Sequence, residues 1–274
     1  MVELAEIFSR AGPAYRAAFG GRLLPSHARA MTDIVACRTP ALGGSLFACN
    51  ACSHLDFSYH SCRNRHCPKC HRQPTQRWLA KLRGRLLPCS YYFATFTLPA
   101  ELRPLARSHQ RLVYGILMAE AARSLQLLAD DPKWVGATMG ILAVLHTWSR
   151  DLAFHPHVHL LVTAGGLTGD GQAWRKPAHR KFLVPGFALS KIFRANVREA
   201  LRNAGLVVEP AVFQKPWTVH LQYAGDGRHV GEYLSRYAYR VAITNDRIER
   251  FDGREVTFRY VSSRTRETKR MTLS

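Results

Sequence analysis

The chain has 274 residues, with 39 Lys plus Arg against 19 Asp plus Glu, a formal net charge of +20. Apolar residues make up 47%, enough for a buried core, so a wholly disordered basic tail is excluded, and the length suits about two domains. No uninterrupted apolar run approaches the roughly 18 residues of a membrane span, and the opening residues carry Glu3 and Glu6 with no signal stretch, so a cytoplasmic protein with a polyanionic partner and no membrane partner is expected.

In chain order, Leu4–Phe19 reads as one amphipathic helix through Leu4, Ile7, Phe8, Tyr15 and Phe19. Pro25–Cys37 reads as a second, with Ser26 placed to cap it. The cysteines follow: Cys37, Cys49, Cys52, Cys62, Cys67 and Cys70, with Cys89 apart as a core residue. Without a secretory signal, metal binding is the better reading than disulfides. Cys49-x-x-Cys52 and Cys67-Pro-Lys-Cys70 are two knuckles, each able to fill two corners of a tetrahedral zinc. Cys37, Cys62 and His66 remain, with a second His from His27, His54, His60 or His71, for a second zinc site; the alternative makes Cys37 and Cys62 buried apolar thiols.

Basic residues crowd this region: Arg63, Arg65, Lys69, Arg72, Arg77, Lys81, Arg83 and Arg85, with no acid between Asp56 and Glu101. A charge run is often only a solvated face, but beside a cysteine cluster and Trp78 it suits contacts to DNA phosphates and stacking on single-stranded bases. Residues 1–88 are thus expected to form one module, helices plus a zinc ribbon, whose fold zinc helps to hold.

Residues 89–274 read as a second module. Tyr91–Pro99 is a strand, Glu101–Ala129 a long helix, Thr138–Trp148 and His157–Thr163 strands, Ala188–Ala204 a helix and Trp217–Tyr223 a strand. A helix runs to about Arg240, and short strands with an Asp252-Gly253 turn close the chain. The alternation suggests an α+β fold with a mainly antiparallel sheet.

Two stretches carry chemistry. In His155-Pro156-His157-Val158-His159, His157 and His159 share one strand face, while Val158, Leu160 and Val162 point to a core. If 138–148 and 157–164 form a hairpin centred near 151–152, His146 falls opposite His157 and becomes the third ligand of a divalent ion, with Asp151 the alternative. His155 reads as peripheral. Three ligands with open positions suit a catalytic metal rather than a closed structural one. In Gly231–Tyr237, Tyr233 and Tyr237 lie four residues apart on one helix face, with Arg236 and Arg240 on the same helix.

The pieces Cys37-Arg-Thr, Cys49-x-x-Cys52, 58–70 (SYHSCRNRHCPKC), 96–99 (FTLP), 145–148 (LHTW), 155–159 (HPHVH) and 233–248 (YLSRYAYRVAITNDRI), in this order, resemble the rolling-circle transposases of the insertion sequence ninety-one family, two-tyrosine members of the HUH endonucleases. The resemblance implies an N-terminal zinc-binding domain and an HUH nuclease domain with a five-stranded antiparallel sheet. It implies His157 and His159 as the HUH pair, Mg²⁺ or Mn²⁺ as catalytic ion, and Tyr233 and Tyr237 as nucleophiles. The implied substrates are single-stranded DNA at mobile-element ends and target DNA, joined through a 5′-phosphotyrosine, in a bacterial, nucleoid-associated setting. Members of the family usually continue beyond the strands that follow the Tyr helix, so a shortened copy or a fragment is expected. A replication initiator or relaxase would use the same residues. A zinc-dependent DNA-binding protein without catalysis would leave them idle. A zinc hydrolase would lack a general-base Glu beside the His strand.

Overall fold

Pro13 decides how the chain begins. It lacks the N–H that a continuous helix would need, so the expected single helix is two: α1 (Leu4–Arg10) and α2 (Gly12–Phe19), with Pro13 in the first turn of the second. The computed structural model describes residues 2–70, 72–179, 182–226, 241–262, 265 and 267–274. In chain order α3 (Pro25–Ala36), β1 (Gly44–Ala48), β2 (Leu55–Tyr59), α4 (Arg72–Arg83), β3 (Tyr91–Thr97), α5 (Arg103–Ser108), α6 (Gln110–Ala129), β4 (Thr138–Trp148) and β5 (Phe154–Leu167) follow. Then come β6 (Trp174–Arg175), α7 (Gly186–Asn203), β7 (Val219–Tyr223), β8 (Ile248–Phe251), β9 (Val256–Val261) and β10 (Thr268–Leu273). The class is α+β with antiparallel sheets.

Two sequence expectations shift locally. Leu24, extended at φ −62° and ψ 139°, is the N-cap of α3, and Ser26 lies inside the first turn behind Pro25. The long helix from Glu101 breaks at His109, whose ψ of 49° leaves the helical region, giving α5 and α6.

The contacts divide the chain otherwise than at residues 88 and 89. One compact unit holds residues 1–77, 150–152 and 239–274; the other holds 78–149 and 153–238. The reason lies in the tail. Ile248 and Phe258 of the C-terminal strands, with Ile243 just before them, bury themselves with Leu4 and Ile7 of α1, so the last strands pack with the first helix. Within this unit β1 and β2 form a hairpin, and β8, β9 and β10 form a three-stranded sheet in the order β10-β9-β8.

The second unit is built on a sheet in the order β4-β5-β3-β7, with the short β6 pairing β5. Alternation sets its two faces. Tyr92, Ala94, Phe96, Val158, Leu160 and Val162 meet Val113, Leu117 and Leu125 of α6 and Leu189, Phe193 and Val197 of α7. Phe96 and Phe193, fully buried, meet edge to face at 4.9 Å, and burying each such side chain contributes about 1.5–3 kcal/mol. α6 reaches the length and mean hydropathy of a membrane span. Its apolar stripe is spent on this core, which is why no long uninterrupted apolar run marks it.

Candidate active site and metal centres

The opposite face of the same sheet carries the imidazoles. β4 and β5 pair antiparallel, with His146 opposite His157 and Val144 opposite His159. His146, His157 and His159 are all buried, and one ring nitrogen from each lies within 4.8 Å of the others. Among the described residues Asp151 is not part of this group.

Hydrogen bonds orient the rings. His157 donates from Nδ1 to the carbonyl of His155 at 2.6 Å, which leaves Nε2 as the lone-pair nitrogen. That Nε2 lies 3.0 Å from Nδ1 of His146. The Nδ1 of His159 lies 3.0 Å from Thr95 Oγ1, its cross-strand neighbour in β3. The ring of Phe93 stacks on His159 at 5.0 Å. His155 is tied outward, its Nδ1 accepting from Arg103 Nη2 at 2.9 Å. With His157 and His159 each oriented through Nδ1 and one ring nitrogen from each of the three histidines within 4.8 Å, the group fits a divalent cation. Thr95 and Arg103 escape a reading of sequence alone. The alternation of Tyr91–Thr97 marks Thr95 as sharing a face with Tyr91 and Phe93, but not which strand lies beside it.

The cysteines group differently from their spacing. Cys37, Cys62, Cys67 and Cys70 bring their sulfurs within 4.8 Å of one another. Cys37 Sγ is 3.3 Å and Cys62 Sγ 3.7 Å from Cys70 Sγ. A tetrahedral zinc with bonds near 2.3 Å needs sulfurs about 3.8 Å apart, so the four fit one ion. Cys49 and Cys52 stand exposed at the turn of the β1–β2 hairpin, outside this group; His66, beyond β2, is also outside it. The hairpin explains the exchange. Cys37 precedes β1 and Cys62 follows β2, so both lie at its open end, while Cys49 and Cys52 lie at its closed end, with Ala48 paired to Leu55. Burial pushes the Cys62 thiol up to about 12 and raises Cys67 as well.

Most of the basic residues lie at the surface: Arg63, Arg65, Arg77, Lys81, Arg83 and Arg85 are exposed. Lys69 is paired with Glu3 at 2.7 Å. The side chain of Arg72 and the whole segment with Tyr233, Tyr237, Arg236 and Arg240 lie outside the described residues. Trp78 is half-buried against Tyr91, Phe93, Val144 and Leu161, so it packs the core instead of presenting a free stacking face, and Cys89 packs with the same cluster.

Comparison with known proteins fits both halves. A family model described as "Transposase zinc-binding domain" matches residues 7–98, and one described as "Putative transposase" matches residues 140–274. The chain is 37% identical over 282 residues to "Putative transposase y4qJ" of Sinorhizobium fredii, covering 94% of this chain and 70% of that protein. It is 31% identical over 280 residues to "Transposase for insertion sequence element IS801" of Pseudomonas savastanoi pv. phaseolicola, covering 93% of this chain and 65% of that protein. No solved structure matches significantly. With a zinc-binding domain over the four clustered thiols and a transposase domain over the His strand, the chain belongs to the insertion sequence ninety-one family of transposases.

Proposed function

We propose that the chain nicks single-stranded DNA at the ends of a mobile element and transfers the cut strand through a 5′-phosphotyrosine, as in rolling-circle transposition. The observation that supports this most is the buried trio His146, His157 and His159 on the sheet face opposite the core. Tyr233 or Tyr237 attacks the scissile phosphorus through Oη. The bond from phosphorus to the 3′ oxygen breaks, the phenol loses its proton, the leaving oxygen gains one, and a free 3′-OH remains. His146, His157 and His159 would hold a divalent ion, which would supply polarisation of the phosphate and so offset the weakness of a phenol with an ordinary pKa of about 10. The chain's own part is orientation: the His155 carbonyl and the Thr95 hydroxyl hold the rings of His157 and His159. An all-nitrogen set suits Mn²⁺ better than Mg²⁺, which prefers oxygen ligands. The second Tyr serves the later transfer to target DNA. Arg63, Arg65, Arg77, Lys81, Arg83 and Arg85, with Arg236 and Arg240, contact the DNA backbone. Zinc stays structural, on Cys37, Cys62, Cys67 and Cys70, and the protein works in the cytoplasm where the element's DNA lies.

The test is incubation with Mn²⁺ and single-stranded DNA carrying an element end, followed by a denaturing gel. The wild type forms a covalent protein–DNA adduct, and the double variant Tyr233→Phe, Tyr237→Phe does not. An adduct that persists in the double variant overturns the nucleophile assignment.

A further inference from the structure

The nicking chemistry leaves a second feature of the same unit unused. At the far end of the sheet lies a cleft of about 1250 Å³, lined among others by Tyr92, Tyr223, Trp174, His179, Arg83 and Lys176. It reaches Ala164 of β5, on the face opposite His157 and His159. Five residues at 3.3 Å each separate His159 from Ala164, about 16 Å along the strand.

The aromatic walls are held in place. Trp174 is 37% exposed and pairs with Leu167 through β6. Its indole lies where Gly165, at φ +128°, has no side chain; a Cβ there would stand 2.7 Å from the indole nitrogen. Tyr223 is 62% exposed, with its hydroxyl 3.0 Å from Ser90 Oγ and its ring edge-on to Tyr92 at 5.6 Å. His179 stacks on Phe182 at 4.7 Å. A second cavity of about 560 Å³ shares Tyr92 and Tyr223 and continues along the β7 edge of the sheet. Exposed Lys176 and Arg83 lie on the rim, with Asp226 as the acid among the described lining residues. Preset ring faces beside cations, along an open groove of a chain with net charge +20, are the recognition chemistry of an unpaired nucleic-acid strand.

We propose that this cleft binds an unpaired base of the DNA strand, stacked on Trp174, with its phosphate against Lys176, at a position remote from the scissile phosphate. The choice of single-stranded DNA as ligand rests on the nicking reading. The cleft would hold or read the strand away from the cut.

The test measures binding of fluorescein-labelled oligothymidylate by anisotropy on the zinc-loaded protein with no Mn²⁺ or Mg²⁺ added, so that nicking is not supported. Trp174→Ala is expected to weaken binding about ten-fold, the size of one lost base–aromatic stack. Trp174→Phe restores most of it, and Lys176→Gln lowers the salt slope by about one. On a strand of abasic sites Trp174→Ala changes nothing. Circular dichroism confirms that each variant folds. A loss below about three-fold on oligothymidylate, or an equal loss on the abasic strand, overturns the proposal. Adduct formation with Mn²⁺, assayed separately on the wild type, distinguishes failure of this site from failure of the nicking reading.

Discussion

His146 and His157 face each other across β4 and β5, with Nδ1 of one 3.0 Å from Nε2 of the other. Because His157 spends its Nδ1 proton on the His155 carbonyl, its Nε2 accepts, and His146 donates. The pair is therefore closed by a proton at the point where a cation would replace it. Removing His146 opens the triad on one side. His146→Ala is expected to weaken Mn²⁺ binding more than about 100-fold, beyond the usual loss for an outer-shell change, and to abolish the adduct. Isothermal titration with Mn²⁺ decides it. Unchanged Mn²⁺ affinity would show that the third ligand lies elsewhere.

Thr95 touches the triad only through His159, by the 3.0 Å contact to Nδ1. Thr95→Val keeps the shape and removes the hydroxyl. It is expected to lower Mn²⁺ affinity about 10- to 100-fold while the chain stays folded, and Thr95→Ser restores most of the affinity. A titration in which Thr95→Val matches the wild type would reduce the hydroxyl to packing.

The difference between the two metal sites shows what can be read from sequence. The His pairing was legible because a strand repeats every two residues and a hairpin's register follows from its turn. His146 and His157 are equidistant from the turn near residues 151–152, so arithmetic alone brings them together. The thiols were legible as zinc ligands but not as a set. CxxC spacing says which pairs can share an ion, not which pairs meet. The meeting is decided by five-residue strands, Gly44–Ala48 and Leu55–Tyr59, which carry Cys49 and Cys52 about 15 Å from the open end. The alliance of α1 with the tail strands was likewise invisible, because long-range burial of Phe258 and Ile248 leaves no local periodicity.

That grouping makes the cysteines unequal. Cys37→Ser or Cys62→Ser should release the ion held by the four thiols and lower the melting temperature of the zinc module, because metal binding is part of its folding free energy. Cys49→Ser should leave that ion bound and the melting temperature within a few degrees, since the Cys49 side chain is exposed. Zinc content by mass spectrometry, with melting curves, separates the two classes. Zinc lost equally from Cys49→Ser and Cys37→Ser would return Cys49 to the ligand set.

The same thiols give the metal-free chain a pH signature. Burial pushes Cys62 from the ordinary 9.0 up to about 12, and raises Cys67 too. Burial also acts on Cys70, but hydrogen bonds from Cys37, the Arg63 backbone, Cys62 and Cys67 together outweigh it and hold that thiol below 9.0. Two protons are thus held more tightly by the folded chain and one less tightly. The raised thiols contribute stability that is complete below their ordinary pKa and drains away as pH rises through the folded value. Chelator-stripped protein should therefore melt lower at about pH 10 than at about pH 7.5. Zinc-loaded protein, whose ligands are already thiolates, should instead lose zinc on acidification, as protons compete for the sulfurs. Melting curves of both forms at the two pH values, with a zinc-release assay toward about pH 5, test this. Stripped protein that is equally stable at both values would contradict burial of Cys62 and Cys67 as protonated thiols.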